Sequence, residues 1–208
     1  MRPFKTVSKK LARHRAFPLP ALGLQPLFPK DPNLPDSLTP GLLTPGLSII
    51  YARSLNHCIG INGGLPWSLP DEYDHFLRVI KGCPIIMGRR SYEDHDGAIP
   101  GSLNIVVTGN PDIEVPEDIQ IAANLEQAID IAAETYPNYF VIGGTGLITE
   151  ALPQANVVFE TVVDAHIDGD TFLPPFDFSA WKTREIASRV ADNSHAYDYS
   201  AYKHSKPC

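Results

Sequence analysis

Between residues 47 and 204 the chain alternates short, β-branched apolar runs with segments of helical period. The run 47–52 (LSIIYA) reads as a buried strand. So do 83–88 (CPIIMG), 103–109 (LNIVVTG), 118–123 (DIQIAA), 138–144 (NYFVIGG) and 156–163 (NVVFETVV). Unbroken apolar runs of this length fit strands covered on both faces. Residues 53–66 read as a loop, because Asn56, Gly60, Asn62, Gly63 and Gly64 interrupt any period. A helix is predicted over residues 69–80, stopping at Gly82. Asn124, with Gln127 three positions on, starts a second helix that reaches Thr135, and 146–151 is a third. Residues 181–191 and 195–204 alternate and read as a hairpin around Asp192-Asn193.

Strands alternating with helices predict an α/β fold. The expected architecture is a mostly parallel mixed sheet of about eight strands, flanked by helices, with right-handed crossovers and a C-terminal antiparallel hairpin. Open sheets of this kind bind ligands beyond the carboxyl ends of their strands. Three such ends are glycine-rich here, at Gly88, Gly109 and Gly143-Gly144.

Composition changes the picture mainly at the N-terminus. Nine of the 20 prolines and seven basic residues precede residue 47, and no acid occurs in residues 1–30. Residues 1–46 therefore read as a basic, proline-rich extension expected to be disordered, and 47–208 as the folded domain. The plain reading of the extension is a solvated tail; a targeting arm and a nucleic-acid arm are the alternatives. The net charge of −7 makes the remainder acidic, which argues against nucleic acid as the main partner. No apolar run approaches the roughly 20 residues that span a bilayer. The three cysteines, Cys58, Cys83 and Cys208, are odd in number and widely spaced, so a reducing, cytoplasmic setting is expected. The histidines show no metal-ligand spacing, so no metal is expected. There is no G-x-S-x-G elbow and no Walker loop.

The segment 64–76 (GLPWSLPDEYDHF) holds three acids among apolar residues. Ser68 is placed to cap the helix with Asp71 as its box partner, and Pro70 suits the first turn. At 3.6 residues per turn, Glu72, Phe76 and Val79 share a face, while Asp71, Asp74 and Arg78 fall on the opposite one. Asp71 and Asp74 are then ordinary solvated acids, with Arg78 in reach for pairing. Glu72 stands on the apolar stripe. A carboxylate there binds a donor-rich ligand group, shuttles a proton at raised pKa, or snorkels to water.

The segment 59–76 resembles the active-site segment of dihydrofolate reductases. The resemblance continues through 84–93 (PIIMGRRSYE), 100–108 (PGSLNIVVT), 141–144 (VIGG), Glu160-Thr161 and 169–171 (GDT), in the family order. It covers 47 to the C-terminus and implies NADPH-dependent reduction of dihydrofolate by a monomer. It implies that Glu72 holds the pterin and supports ring-nitrogen protonation, that Thr161 hydrogen-bonds Glu72, and that Trp67 orders a water. Ile50, Tyr51, Ala52, Tyr73, Phe76 and Ile99 would wall the substrate. The loop 58–68 resembles the family's mobile lid, so Ile59, Gly60, Gly64 and Leu65 would lie beside the cofactor, with Ala52 and Thr171.

The cofactor's adenosine end is implied at two strand ends. Gly88, Arg89, Arg90 and Ser91 follow a strand and would receive phosphate on backbone N–H groups. Arg89 matches the contact to the adenosine 2′-phosphate, which favours NADPH over NADH. Thr108 and Gly109 would flank the adenosine. Ile142, Gly143, Gly144, Thr145, Gly146 and Leu147 form a strand-to-helix glycine turn for the pyrophosphate, without being a G-x-G-x-x-G fingerprint.

Two positions depart from the family pattern. Ser102 stands where an arginine normally clamps the α-carboxylate of folate's glutamate tail. Losing such a pair costs about 1.5–3 kcal/mol, at least about tenfold in affinity. Ile148 falls in the register of a tyrosine near the nicotinamide. Three readings follow: a dihydrofolate reductase with an atypical tail pocket, a reductase of a tail-less dihydropterin or aminopyrimidine, and a non-catalytic pterin- or nucleotide-binding module. Glu72, Trp67 and Thr161 speak against the third.

Overall fold

A computed structural model of the chain describes residues 45–94, 97–110, 112–134 and 136–207. The basic extension before Pro45, His95, Asp96, the expected helix end at Thr135 and Cys208 lie outside the described residues.

Ten strands and four helices follow in chain order: β1 (Gly46–Ser54), β2 (Cys58–Gly60), α1 (Pro70–Ile80), β3 (Ile85–Gly88), α2 (Arg89–Asp94), β4 (Asn104–Val107), β5 (Ile119–Ala122), α3 (Leu125–Ala133), β6 (Asn138–Gly143), α4 (Thr145–Ala151), β7 (Val157–Val163), β8 (Thr171–Phe172), β9 (Lys182–Arg189) and β10 (Tyr199–Ser205). Eight strands form one sheet in the order β5-β4-β3-β6-β1-β7-β10-β9, and β2 pairs with β8 in a second. Every pairing from β5 across to β7 is parallel; β10 runs antiparallel to both β7 and β9. This is the mixed α/β sheet that the sequence pattern predicts.

The sheet separates two cores. On one face Ile50, Ile85, Met87, Val106, Phe140 and Phe159 pack against Val79 and Ile80 of α1. On the other, Ile49, Tyr51, Ile86, Ile105, Val141 and Val158 pack against Leu125, Ala128 and Ala132 of α3 and Ile148 and Ala151 of α4. Successive strand residues point to opposite faces, so apolar runs without alternation are the consequence of having both faces covered.

Three local expectations are corrected. Part of the expected loop 53–66 is strand: β1 continues to Ser54 because β7 offers it partners as far as Val163, and Cys58–Gly60 finds Thr171–Phe172. The closing hairpin does turn tightly beside Asp192-Asn193, where Asp192 and His195 exchange backbone hydrogen bonds around Asn193-Ser194, but its strands are not those expected over 181–191 and 195–204. Its strands stop at Arg189 and resume at Tyr199. Between them, Asp192 accepts from Ser194 and His195 N–H, and Asp198 from Ala191 N–H, so side chains take donors that a ladder would use. At α3 the cap forms as expected, with Asn124 accepting from Gln127 N–H at 2.9 Å, but the Gln127 side chain reaches back to Ala123 rather than Asn124.

No helix among the described residues is long and apolar enough to cross a membrane.

Candidate active site

Glu72 enters from the first turn of α1. Pro70 opens the helix, and its missing N–H needs no partner there. The N-cap position therefore falls on the residue before it, Leu69, which makes no side-chain cap; the expected cap, Ser68, is exposed. Helical period carries Glu72, His75, Val79 and Ile80 inward together, and Glu72 is only 7% exposed. Burial raises its carboxyl pKa from the ordinary value to about 7, while a hydrogen bond from the Thr161 hydroxyl pulls it back down. His75, one turn along, is held neutral by burial and by Arg78, its pKa lowered to about 4.

Thr161 reaches Glu72 from β7. It stands opposite Ala52 of β1, so both side chains face α1. Ile50 shares that face and packs with Phe76. Tyr73, 45% exposed, stacks on Phe76 with ring centroids 5.9 Å apart. Trp67 packs with Leu69, Ala52, Val163 and Tyr199. Its indole N–H is buried with no partner among the described residues, a loss of about 1–3 kcal/mol unless a water or ligand accepts it.

Tyr51, expected in the same wall, turns its side chain to the opposite face. It pairs with Glu160 in register, and its hydroxyl donates to Glu160 Oε1 at 3.0 Å. Arg53 Nε donates to the same oxygen at 2.7 Å, and His204 Nε2 lies 3.3 Å from Oε2. Burial would raise the Glu160 pKa, but the bonds from His204, Arg53 and Tyr51 outweigh it and hold the carboxyl below its ordinary value. Ile148 is likewise buried on that reverse face, so it fills core.

Asp71 is also not the solvated acid its helical position predicts. It pairs with Arg189 at the end of β9 and lies near His195 in the β9–β10 loop. Arg78 instead donates to the carbonyl of Asp74 in its own helix.

The segment expected to form a lid is held at Cys58–Gly60 and at Asn62. Gly60 pairs with Thr171, and a side chain on Gly60 would come within 3.3 Å of Thr171. Asn62 and Gly63, both at positive φ, make the turn that joins Ile61 to Gly64. Asp170 accepts from Asn62 N–H at 2.7 Å, which lowers its own pKa. Ile59 is half-buried, and Leu65 is half-exposed at 50%.

The three glycine-rich strand ends lie along neighbouring strands. Gly88, Arg89, Arg90 and Ser91 run from β3 into α2, and Gly143-Gly144 leads from β6 into α4. A Cβ on Gly143 would lie 2.8 Å from Ser91 Oγ, and one on Gly88 would lie 3.6 Å from Gly144 N. The two turns thus abut, and a side chain on Gly143 would have to displace the Ser91 hydroxyl. Arg89 forks onto both oxygens of Glu93 at 2.7 and 2.9 Å, with both side chains about half exposed. Arg90 is exposed. Thr108 and Gly109 follow β4, with Thr108 Oγ1 accepting from Asn110 N–H. Thr145, Gly146 and Leu147 form the first turn of α4, and Ile142 packs on the α1 side of the sheet.

Ile99 and Ser102 are joined by Asn104, which sequence reasoning passed over. Asn104 accepts from Ile99 N–H and donates to the carbonyls of Ile99 and Ser102. The available signal was a polar residue opening an apolar strand, since a buried amide needs several partners. A cavity of about 410 Å³, lined by Leu55, Val162, Arg189, Tyr199 and Tyr202 among others, contains none of the residues expected to bind substrate or cofactor.

Comparison with known proteins agrees with this geometry. Residues 46–206 match the family model described as dihydrofolate reductase. The chain is 34% identical over 151 residues to dihydrofolate reductase type 3 of Salmonella typhimurium, covering 73% of this chain and 92% of that protein. It is 34% identical over 160 residues to dihydrofolate reductase of Bacillus subtilis strain 168, covering 77% and 94%. Among solved structures, dihydrofolate reductase from Enterococcus faecalis, complexed with NADP(H) and RAB-propyl, superposes with a TM-score of 0.71 at 26% identity, covering 78% of this chain and 97% of that one. A buried helix carboxylate tied to a strand threonine, on a sheet whose parallel strands end in glycine turns, thus comes with family-wide similarity in sequence and fold, and the chain belongs to the dihydrofolate reductase family.

Proposed function

We propose that this NADPH-dependent dihydrofolate reductase converts 7,8-dihydrofolate to tetrahydrofolate with Glu72 as the group that holds the pterin. The observation carrying this assignment is the burial of Glu72 with Thr161 as its one side-chain partner among the described residues. One Thr hydroxyl leaves most of the carboxylate's acceptor capacity for the amino group and ring N–H of a pterin. With a pKa near 7, the carboxyl can hold or release a proton at neutral pH and so support protonation of the ring nitrogen. Trp67 then gives its unpartnered N–H to a water beside the ring. Ile50, Ala52 and Phe76 exclude solvent, and Tyr73 forms the outer rim.

The abutting turns at Gly88–Ser91 and Gly143-Gly144 fit a dinucleotide, because each presents backbone without side chains in the way. When bound, NADPH supplies hydride to the pterin. Arg89 and Arg90 are the cations for its 2′-phosphate. The exposed pair of Arg89 with Glu93 is weak and exchangeable, since such pairs contribute about 0–1 kcal/mol. Thr108, Gly109, Thr145, Gly146 and Leu147 would flank the adenosine and pyrophosphate. Gly60, Gly64, Leu65 and Thr171 would close over the nicotinamide end.

The Glu72→Gln variant tests the assignment. NADPH binding should persist, by fluorescence titration, while turnover of dihydrofolate falls by about a hundredfold or more. Full turnover in that variant would exclude Glu72 from the mechanism.

A second reading keeps the site and changes the substrate to a dihydropterin or aminopyrimidine without a glutamate tail. Ser102 favours it, because a hydroxyl replaces the family's arginine, and Arg78 is exposed and bonded within its own helix.

A further inference from the structure

The helix that carries Glu72 lacks a cap from its own segment. Its first-turn donors can be followed one by one. Pro70 has none. Glu72 and Tyr73 N–H both reach the Leu69 carbonyl at 3.1 Å. Asp71 N–H points instead to His195 Nε2, 3.4 Å away in the loop joining β9 to β10.

His195 is 2% exposed and fixed in place by its own loop. Its backbone exchanges hydrogen bonds with Asp192, N–H to carbonyl at 3.2 Å and carbonyl to N–H at 3.0 Å. Its Nδ1 lies 2.9 Å from Asp192 Oδ1. An ionised carboxylate only accepts, so Nδ1 carries the proton and Nε2 presents a lone pair to Asp71 N–H. Arg189 ties the same two acids together, pairing with Asp71 and with Asp192 Oδ2 at 2.8 Å.

We propose that His195 is a positioning residue for Glu72: His195, accepting at Nε2, caps α1 from a distant loop and fixes where the pterin-binding carboxylate sits. The proposal rests on the reading of Glu72 given above. The charged and titratable groups around this contact are Asp71, Glu72, His75 and Arg78 on α1, Arg189 and Asp192 on the hairpin side, and Tyr199 on β10. A second proton on His195 would turn Nε2 into a donor. It would then face Asp71 Oδ1, 3.6 Å away, and Asp71 N–H would lose its acceptor.

The first test uses the unmodified full chain. Nitrogen-15 NMR of the imidazoles should show His195 with a protonated Nδ1 and an accepting Nε2 at neutral pH. An Nε2–H tautomer overturns the proposal. Two variants then separate positioning from packing. His195→Phe keeps volume without an acceptor, and His195→Gln restores an acceptor. The Phe variant should raise KM for dihydrofolate about fivefold and move the pH dependence of kcat/KM, with NADPH affinity within about twofold of the parent. The Gln variant should recover much of the loss. Unchanged KM and pH profile in the Phe variant, equal loss of NADPH affinity, or a Gln variant no better than Phe would each overturn it. If the Phe variant does not fold, the tautomer decides. Should Glu72→Gln prove fully active while the NMR result holds, the reading of Glu72 has failed and the cap has not.

Discussion

The hydroxyl of Thr161 on β7 hydrogen-bonds the carboxylate of Glu72 on α1, joining the strand and the helix that wall the site. That bond favours the ionised carboxyl, against burial, which disfavours it.

Thr161→Val keeps the shape and removes the bond. The Glu72 pKa, about 7 in the parent, should then rise by about one unit. The high-pH limb of the kcat/KM profile for dihydrofolate should move up by the same amount. A limb that stays where it was would show that another group sets the profile.

Glu72 also makes stability depend on pH. Its folded pKa, about 7, lies above the ordinary value of 4.5, so the folded chain keeps a proton that the unfolded chain releases. Its contribution is therefore full below pH 4.5 and is lost as pH rises through 7. The loss amounts to about 3 kcal/mol at most. Glu72→Gln should abolish this slope and be more stable than the parent at pH 8. Urea unfolding of both proteins at pH 5 and pH 8 measures it, and parallel slopes would contradict the burial argument.

Gly143 and Ser91 make a second pair to test. Gly143→Ala would put a methyl 2.8 Å from Ser91 Oγ and force that hydroxyl out of the contact between the two turns. NADPH affinity should fall about tenfold, and Ser91→Gly in the same chain should restore part of it. Strictly additive losses would mean that the turns are not coupled through this contact.

Ser102→Arg distinguishes the two substrates. NADPH consumption is followed with dihydrofolate and with a dihydropterin lacking the glutamate tail. If the parent prefers the tail-less substrate and Arg shifts preference toward dihydrofolate by about tenfold, Ser102 sets the specificity. If dihydrofolate is preferred and Arg changes little, another cation holds the tail.

These sites were unequally legible in the sequence. Helical period alone put Glu72 on the apolar stripe, and local residue types marked the glycine turns. Asp71 was misread because its partners, Arg189 and His195, lie 118 and 124 positions away, where no local period reaches. Tyr51 was misread for a different reason. In a run such as LSIIYA every residue is apolar enough for either face, so the pattern hides which side each takes, and only pairing with Glu160 decides. The ends of the hairpin strands were overextended because Asp192 and Asp198 spend their side chains on loop backbone, a competition that composition does not rank.

Neighbouring positions on β7 have opposite chemistry. Glu160 looks to one side of the sheet, where Arg53 and His204 keep it charged, and Thr161 looks to the other, where Glu72 keeps a proton to neutral pH. A slip of β7 by one residue would exchange them, placing a carboxylate against Glu72 and leaving Arg53 and His204 beside a threonine. Insertions and deletions within Val157–Val163 should therefore be tolerated far less than substitutions, so that this strand can vary in its letters but not in its length.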